Sequence, residues 1–426
     1  MARKMKDSGV AWCTSIPSEW HVARGRNILT LLERSIKDDD GVITCFRDGE
    51  VTLRSKRRED GFTISMQEIG YQGIEPGDLV VHGMDGFAGA IGIADSRGKA
   101  TPVLNVLDSN QNKRYLMYYL RCCAFNGVFF ALSTGIRVRS CDTNWNKIRD
   151  LLYFVPPKHE QQQIADFLDV KCASIDDVIA KTTESIEEYK KLKQAVITEV
   201  VTKGVRGKRP MKDSGIDWIG QIPKEWQCCK IRYLHKGLTD GTHGTYARLD
   251  SGRLLLSSKN VRENELEIGD NESYISEEDY QSIVACGFPQ RNDVLMCCIG
   301  ASIGRCILYD YDEPMAFQRS VIFIRCNSMY LPKMLRYSLL SEATLVQESF
   351  LINQSAQAGL YQGSVAEIYV TVPSLDEQQE IADYLDSKCA AIDTLIAKKQ
   401  QFIDELTAYK KSLIYEYVTG KKDVPA

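Results

Sequence analysis

Histidine, cysteine and glycine patterns are where this chain could hold a reaction centre, and each stops short of one. His159-Glu160-Gln161-Gln162-Gln163 lacks the second histidine that a zinc protease helix needs to close its ligand pair, and its duplicate carries Asp376 where the first should be. Glu-Gln-Gln therefore reads as a helix-start feature. The one Pro-Pro pair, Pro156-Pro157, stands between Val155 and Lys158, so the Asp/Asn-Pro-Pro-Tyr/Phe motif of an amino-methyltransferase is absent. Gly83, Gly86, Gly89 and Gly92 are spaced by three, which is neither a dinucleotide fingerprint nor a P-loop. Fourteen cysteines include three adjacent pairs but no Cys-x-x-Cys, so zinc spacing is missing and no metal is expected. Of five histidines, His243 alone lies in an exposed polar loop, Asp240 to Tyr246, as a contact residue or as part of a plain turn. No catalytic residue is expected.

The elements that would position such groups belong to an ordinary soluble chain. Of 426 residues, 44% are hydrophobic and 26% charged, a globular composition. No apolar run approaches the 18 or so residues needed to span a bilayer, and the first residues lack the apolar stretch of a secretory signal. A cytoplasmic protein without membrane contact is expected, its cysteines reduced and acting mostly as small apolar residues. Lys and Arg number 21 against 18 Asp and Glu in residues 1–157, 18 against 20 in 206–372, and 14 against 19 in the remainder. The net negative charge sits mainly outside the two domains defined below, and neither domain has the charge surplus to bind a polyanion by phosphate neutralisation alone.

An internal duplication organises the chain. Met5-Lys6-Asp7-Ser8-Gly9 to Trp20 returns 206 residues later as Met211-Lys212-Asp213-Ser214-Gly215 to Trp226, with ten of sixteen positions identical. Each Ile-Pro-x-Glu-Trp opens a domain as extended chain, since a residue before proline avoids the helical region. A second repeat, at an offset of 217, matches 156–176 to 373–393. Both copies then carry a narrow apolar stripe at steps of three and four. Its members are Ile164, Leu168, Cys172, Ile175, Ile179, Ile186, Tyr189, Leu192, Val196 and Val200, and Ile381, Leu385, Cys389, Ile392, Ile396, Ile403, Leu406, Tyr409, Leu413 and Tyr417. Pro157 and a Ser374/Glu377 capping box mark the starts. Helices of about 45 residues, roughly 65 Å long, must bury that stripe, and the economical partner is the duplicate, packed antiparallel as a coiled coil with an approximate twofold axis. The expected organisation is domain 1–157, helical spacer 158–205, domain 206–372 and helical spacer 373–426. The fold class is mixed α+β, with strands at 77–81 and 292–296 and short helices opening at Tyr115 and Tyr330.

This order, with Ile-Pro-x-Glu-Trp openings and Glu-Gln-x-x-Ile-Ala-Asp-(Phe/Tyr)-Leu-Asp helix starts, resembles the specificity (S) subunit of Type I restriction-modification systems over essentially the whole chain. Asp240-Gly241-Thr242-His243, Ser257-Ser258-Lys259-Asn260-Val261 and Gly300-Ala301-Ser302-Ile303-Gly304 add family-like strings in the second domain, and the first departs from them. The resemblance implies two target recognition domains, each reading half of a gapped duplex DNA sequence, with the paired helices setting the spacing and docking two modification (methyltransferase) subunits. Restriction (translocase/nuclease) subunits would join them. No cofactor is implied for this chain, S-adenosylmethionine, ATP and Mg²⁺ belonging to those partners. Base reading needs paired donors or acceptors on loops. The candidates are Arg54, Lys56, Arg57, Arg58, Arg137 and Arg139 in the first domain, where a charge run is equally the composition of a solvated face. In the second they are Thr242, His243, Thr245, Lys259, Asn260, Ser302, Asn353 and Gln354. The residues expected in the helix seam and subunit interface are Ile164, Leu168, Ile175, Ile179, Ile381, Leu385, Ile392 and Ile396.

Overall fold

In a computed structural model, which describes residues 3–58, 69–132, 143–352 and 359–425, the chain forms two units. One comprises residues 1–183 and 401–426, the other 184–400. Each opens on a hairpin with the same register. Met5–Asp7 pairs antiparallel with Ser15–Pro17, and Met211–Asp213 with Gln221–Pro223. Each then builds a four-stranded antiparallel sheet in one spatial order. In the first unit this is Leu29–Leu31, Leu104–Ser109, Leu79–His82, Ile91–Ile93, and in the second His235–Asp240, Val321–Cys326, Val294–Cys297, Cys306–Leu308. The expected strands and helices are present, the helices as Lys113–Phe125 and Pro332–Leu339.

The middle strands read as unbroken apolar runs because both faces of the sheet are covered. Leu79 and Val81 face one core with Trp20, Tyr115 and the long-helix residues Ile164 and Leu168, while Val80 faces a second, smaller core with Ile43 and Val106. The second unit repeats the alternation: Val294 and Met296 pack toward Trp226 and Ile381, Leu295 and Cys297 away from them. The layer on the far side differs between units. The first has the hairpin Ile43–Cys45/Val51–Leu53, and the second a three-stranded sheet of Tyr274–Ile275, Arg253–Leu256 and Ala316–Phe317 with the helix Glu277–Val284.

A strand pairing closes each domain just before its long helix: Leu152–Val155 with His21–Arg24, and Tyr369–Val372 with Gln227–Lys230. The long helices run Lys158–Lys203 and Leu375–Val418. The start of the first packs with the end of the second in one unit, and the reverse pairing occurs in the other, which is antiparallel order. Duplicated ion pairs hold it: Lys410 to Asp176 at 2.6 Å and Lys193 to Asp393 at 2.7 Å. Ile164, Leu168, Ile175, Ile381, Leu385 and Ile392 are buried and Ile179 and Ile396 half-buried. Leu192 and Tyr409, expected in the stripe, are instead 48% and 55% exposed. Near the helix ends burial shifts to Ile197, Val200 and Val201, and to Leu413, Ile414, Tyr417 and Val418, which meet a domain as well as a helix.

The helix starts show what Glu-Gln-Gln does. Trp20 Nε1 donates to Glu160 and Trp226 Nε1 to Glu377, both at 2.9 Å. Arg3 and Arg209 lie over the respective indole rings, 5.4 and 5.0 Å from their centroids, and pair with the same carboxylates. The following glutamine accepts from a backbone N–H ahead of the short helix, Gln161 from Asn112 and Gln378 from Leu331. The expected capping box forms only in part: Ser374 caps the Glu377 N–H, but the Glu377 carboxylate goes to Trp226. The other helix ends against the same tryptophan, at Gly420 (φ +66°) in the first unit and Gly204 (φ +76°) in the second. A Cβ on Gly420 would stand 2.3 Å from Pro17 and 3.1 Å from Trp20.

Gly420→Ala should therefore destabilise the chain by more than the ~1 kcal/mol of a positive-φ glycine alone. Gly9→Ala, at φ +69° with open space around it, is the backbone-only control. Denaturant midpoints of the two variants compare the costs, and equal shifts would mean that the packing on Trp20 contributes nothing.

Candidate nucleic-acid interface

In each unit an arginine on the short helix bonds both the common sheet and a loop outside it. From the helix Lys113–Phe125, Arg121 donates to Ile91 O at 2.7 Å and to Asp48 O at 3.3 Å. From Pro332–Leu339, Arg336 donates to Cys306 O at 3.4 Å and to Glu263 O at 3.0 Å. Each links the fourth strand of the sheet to a loop peculiar to its unit.

In the first unit the basic cluster is largely engaged. Arg54 Nε donates to Thr44 Oγ1, Lys56 pairs with Asp95 at 3.0 Å, and Arg57 pairs with Asp48 and Glu50 while its guanidinium lies over Phe46. Burial would raise the Asp48 carboxyl, but the Arg57 hydrogen bond and the Glu50 N–H hold it below its ordinary value. Arg58 is exposed and follows the four-residue helix Arg54–Arg57. The run thus has acidic neighbours that a polyanion would have to displace. Arg137 and Arg139 lie outside the described residues.

In the second unit the candidates divide into surface and support. His243 is exposed, with Nε2 2.8 Å from Asp240 Oδ2, and Gln362 donates to the other oxygen of that carboxylate. Thr242 bonds Tyr246 OH at 2.7 Å and accepts the Gly244 N–H, fixing the loop on whose surface Thr245 stands. Lys259 is exposed but paired at 2.8 Å with Glu272, whose carboxyl is held low first by that bond. Asn260 departs from the expectation of a DNA contact. It is 1% exposed, accepts from Ser257 N, and donates to Glu267 O and Glu272. Its amide holds the loop and is not presented to a base edge. Ser302 is half-buried in the turn Gly300–Ser302, and Asn353 and Gln354 lie outside the described residues.

The structure adds a segment that motif reading passed over, Gln318-Arg319-Ser320. Thr242 N donates to Phe317 O, Arg319 N to Thr242 O, Gln318 N to Leu256 O, and Cys298 N to Ser320 O. Ser258 N donates to Ser320 Oγ. Three loops holding Thr242 and His243, Lys259, and Ser302 thus converge on it. Gly241 allows the approach, because a Cβ there would stand 2.3 Å from the carbonyl oxygens of both Phe317 and Gln318. The available signal was a polar triplet between the apolar runs Ala316-Phe317 and Val321-Ile322-Phe323-Ile324. Beneath the Gly300–Gly304 turn, Glu348 is buried beside Gly304 with its Oε1 unbonded, and burial pushes its carboxyl up to about 8. Among the described residues no group of three metal-ligating side chains occurs, and no helix is long and apolar enough to cross a membrane.

Comparison with known proteins gives one consistent result. Residues 258–405 match the Type I restriction modification DNA specificity domain. The MjaVIII specificity subunit of Methanocaldococcus jannaschii is 28% identical over 273 residues, 63% of this chain and 61% of that protein. A putative MjaX specificity subunit from the same organism is 22% identical across 95% of this chain and 94% of its own length. The EcoBI specificity subunit of Escherichia coli is 22% identical over 82% of this chain and 74% of that one. A solved structure from a study of complex assembly in a type I R-M system shares the fold, with a TM-score of 0.69, 13% identity and coverage of 96% and 99%.

Two stability measurements test the support roles. Asn260→Ala should cost about 1–3 kcal/mol, the range for orphaning buried hydrogen-bonding groups. For Glu348 the folded chain keeps a proton that the unfolded chain loses near its ordinary 4.5. Stability therefore falls as pH rises from there to about 8. Glu348→Gln should flatten that slope and be the more stable protein at pH 8, and parallel pH profiles of unfolding would refute the assignment.

Proposed function

Because this chain belongs to the specificity-subunit family of Type I restriction-modification systems, we propose that each of its domains reads one half of a bipartite, gapped duplex DNA target. The observation that carries this is the contrast within the duplication. The two units share hairpin register, sheet order and the Trp–Glu junction, yet differ in the layer facing away from the long helices. A common mount with different faces suits two half-sites of different sequence. In this reading the antiparallel helices set the gap between the halves. The chemistry belongs to partners: two modification subunits that methylate adenine with S-adenosylmethionine, and restriction subunits that use ATP and Mg²⁺. With a net charge of −4, the chain would draw much of its phosphate contact from those subunits.

The helices also carry a second apolar row outside their seam. Leu395, Phe402 and Tyr409 follow at steps of seven, and Val178, Ser185 and Leu192 are their duplicates. All but Ser185 are exposed. An exposed heptad row is what a further helix packs against, and we assign it to the modification subunits.

Three outcomes test the reading. Coexpression with the modification subunit in a methylation-free host should yield methylated adenines within one gapped motif, absent when this chain is omitted; no motif despite a competent complex would overturn it. Exchanging residues 227–370 for those of a relative should change one half of the motif and leave the other. Phe402→Glu combined with Leu395→Glu should reduce the modification subunit recovered with this chain, and unchanged stoichiometry would remove the docking assignment.

A further inference from the structure

Arg319 is held as a reading residue would be held. Its N–H donates to Thr242 O at 3.0 Å, and its carbonyl accepts from Cys298 Sγ at 3.3 Å. The backbone is thereby clamped between two loops, while the side chain is exposed. It borders a cavity of about 120 Å³ with Asp240, His243, Tyr361 and Gln362. Asp240 is the carboxylate in that lining, and it is engaged by His243 and Gln362. Among the described residues no carboxylate forms an ion pair with Arg319, in contrast to Arg253, Arg262, Arg291 and Arg325 of the same unit.

The chemistry narrows the ligand. An arginine with a fixed backbone and an uncommitted guanidinium can present two parallel N–H donors, and guanine alone among the bases offers paired acceptors, O6 and N7, in the major groove. Phosphate would accept the same fork. A phosphate cradle, however, gathers several uncommitted donors, whereas here His243 and Gln362 are already bonded to Asp240, at the junction of three loops. Resting on the reading of this unit as one of two recognition domains, we infer that Arg319 reads a guanine in the half-site bound by residues 206–372. His243 and Gln362 flank it, with Asp240 fixing both.

The test is the methylation motif written on host chromosomal DNA by the complete complex, compared for wild type, Arg319→Ala and Arg319→Lys. The wild-type motif is the control for the underlying function. If wild type writes none, the recognition reading fails, and the Arg319 assignment falls with it. Given a wild-type motif, both variants should lose discrimination at one guanine of one half by on the order of 10- to 100-fold, with the other half intact. Lysine should rescue poorly because it lacks the planar fork. An unchanged motif with methylation lowered evenly across sites, rescued by lysine, would mean a phosphate contact and overturn the base assignment. Unchanged motif and yield would overturn any contact. Thermal unfolding of each variant excludes misfolding as the cause, since an exposed side chain without an ion pair should leave stability unaltered.

Discussion

A carboxylate at the start of each long helix, buried at Glu377 and half-buried at Glu160, is the constraint around which the rest is arranged. Glu377 is 2% exposed, and a charge so placed is tolerated only with partners supplied. The indole N–H of Trp226 and the guanidinium of Arg209 supply them, as Trp20 and Arg3 do for Glu160. These partners come from the opening segment of a domain some 150 residues earlier in the chain, so satisfying the charge joins domain to helix. Because the glycine ending the opposite helix packs on the same tryptophan, each junction locks three pieces of chain together. Further ion pairs, Arg3 with Asp423 in the first unit and Arg206 with Glu380 in the second, lie beside these junctions.

From these junctions follows a division of labour across each sheet. Residues of one parity face a core that includes the long helices, while the opposite parity faces a layer that differs between the units. A strand cannot slip by one residue without exchanging those faces, which is why the sheet order persists although the sequences diverge. Arg121 carries the common frame outward through backbone carbonyls alone, which every loop sequence possesses, whereas Arg336 reaches both Glu263 O and the side-chain oxygen of Asn264.

Along the helices, the paired Asp176–Lys410 and Asp393–Lys193 bridges contribute register more than stability. Lys410 and Lys193 are partly shielded, but the acids remain accessible, and pairs of this kind are worth about a kcal/mol or less. Their placement at duplicated positions excludes shifted pairings that would set aspartate against aspartate. The apolar seam is strongest near the domains, where the helices meet hydrophobic cores as well as each other.

Much of the architecture was legible in the sequence. The duplication, the long helices and their antiparallel pairing all follow from sequence patterns: repeated strings and steps of three and four. Local patterns carry such information because helix periodicity and motif spacing depend on near neighbours. Which polar side chains are spent on structure was decided only in three dimensions. Asn260 looked like a base reader and is consumed by its own loop, because Glu267 and Glu272 return to it from further along the chain. The carboxylate of Glu377 looked like half of a capping box and was captured by a tryptophan far away in sequence. Leu192 and Tyr409 fitted the stripe but face outward, because the helix ends pack against domains as well as a helix. Arg319 went unnoticed because its position depends on three loops drawn together by backbone hydrogen bonds, and backbone bonds between distant segments leave no mark on residue type.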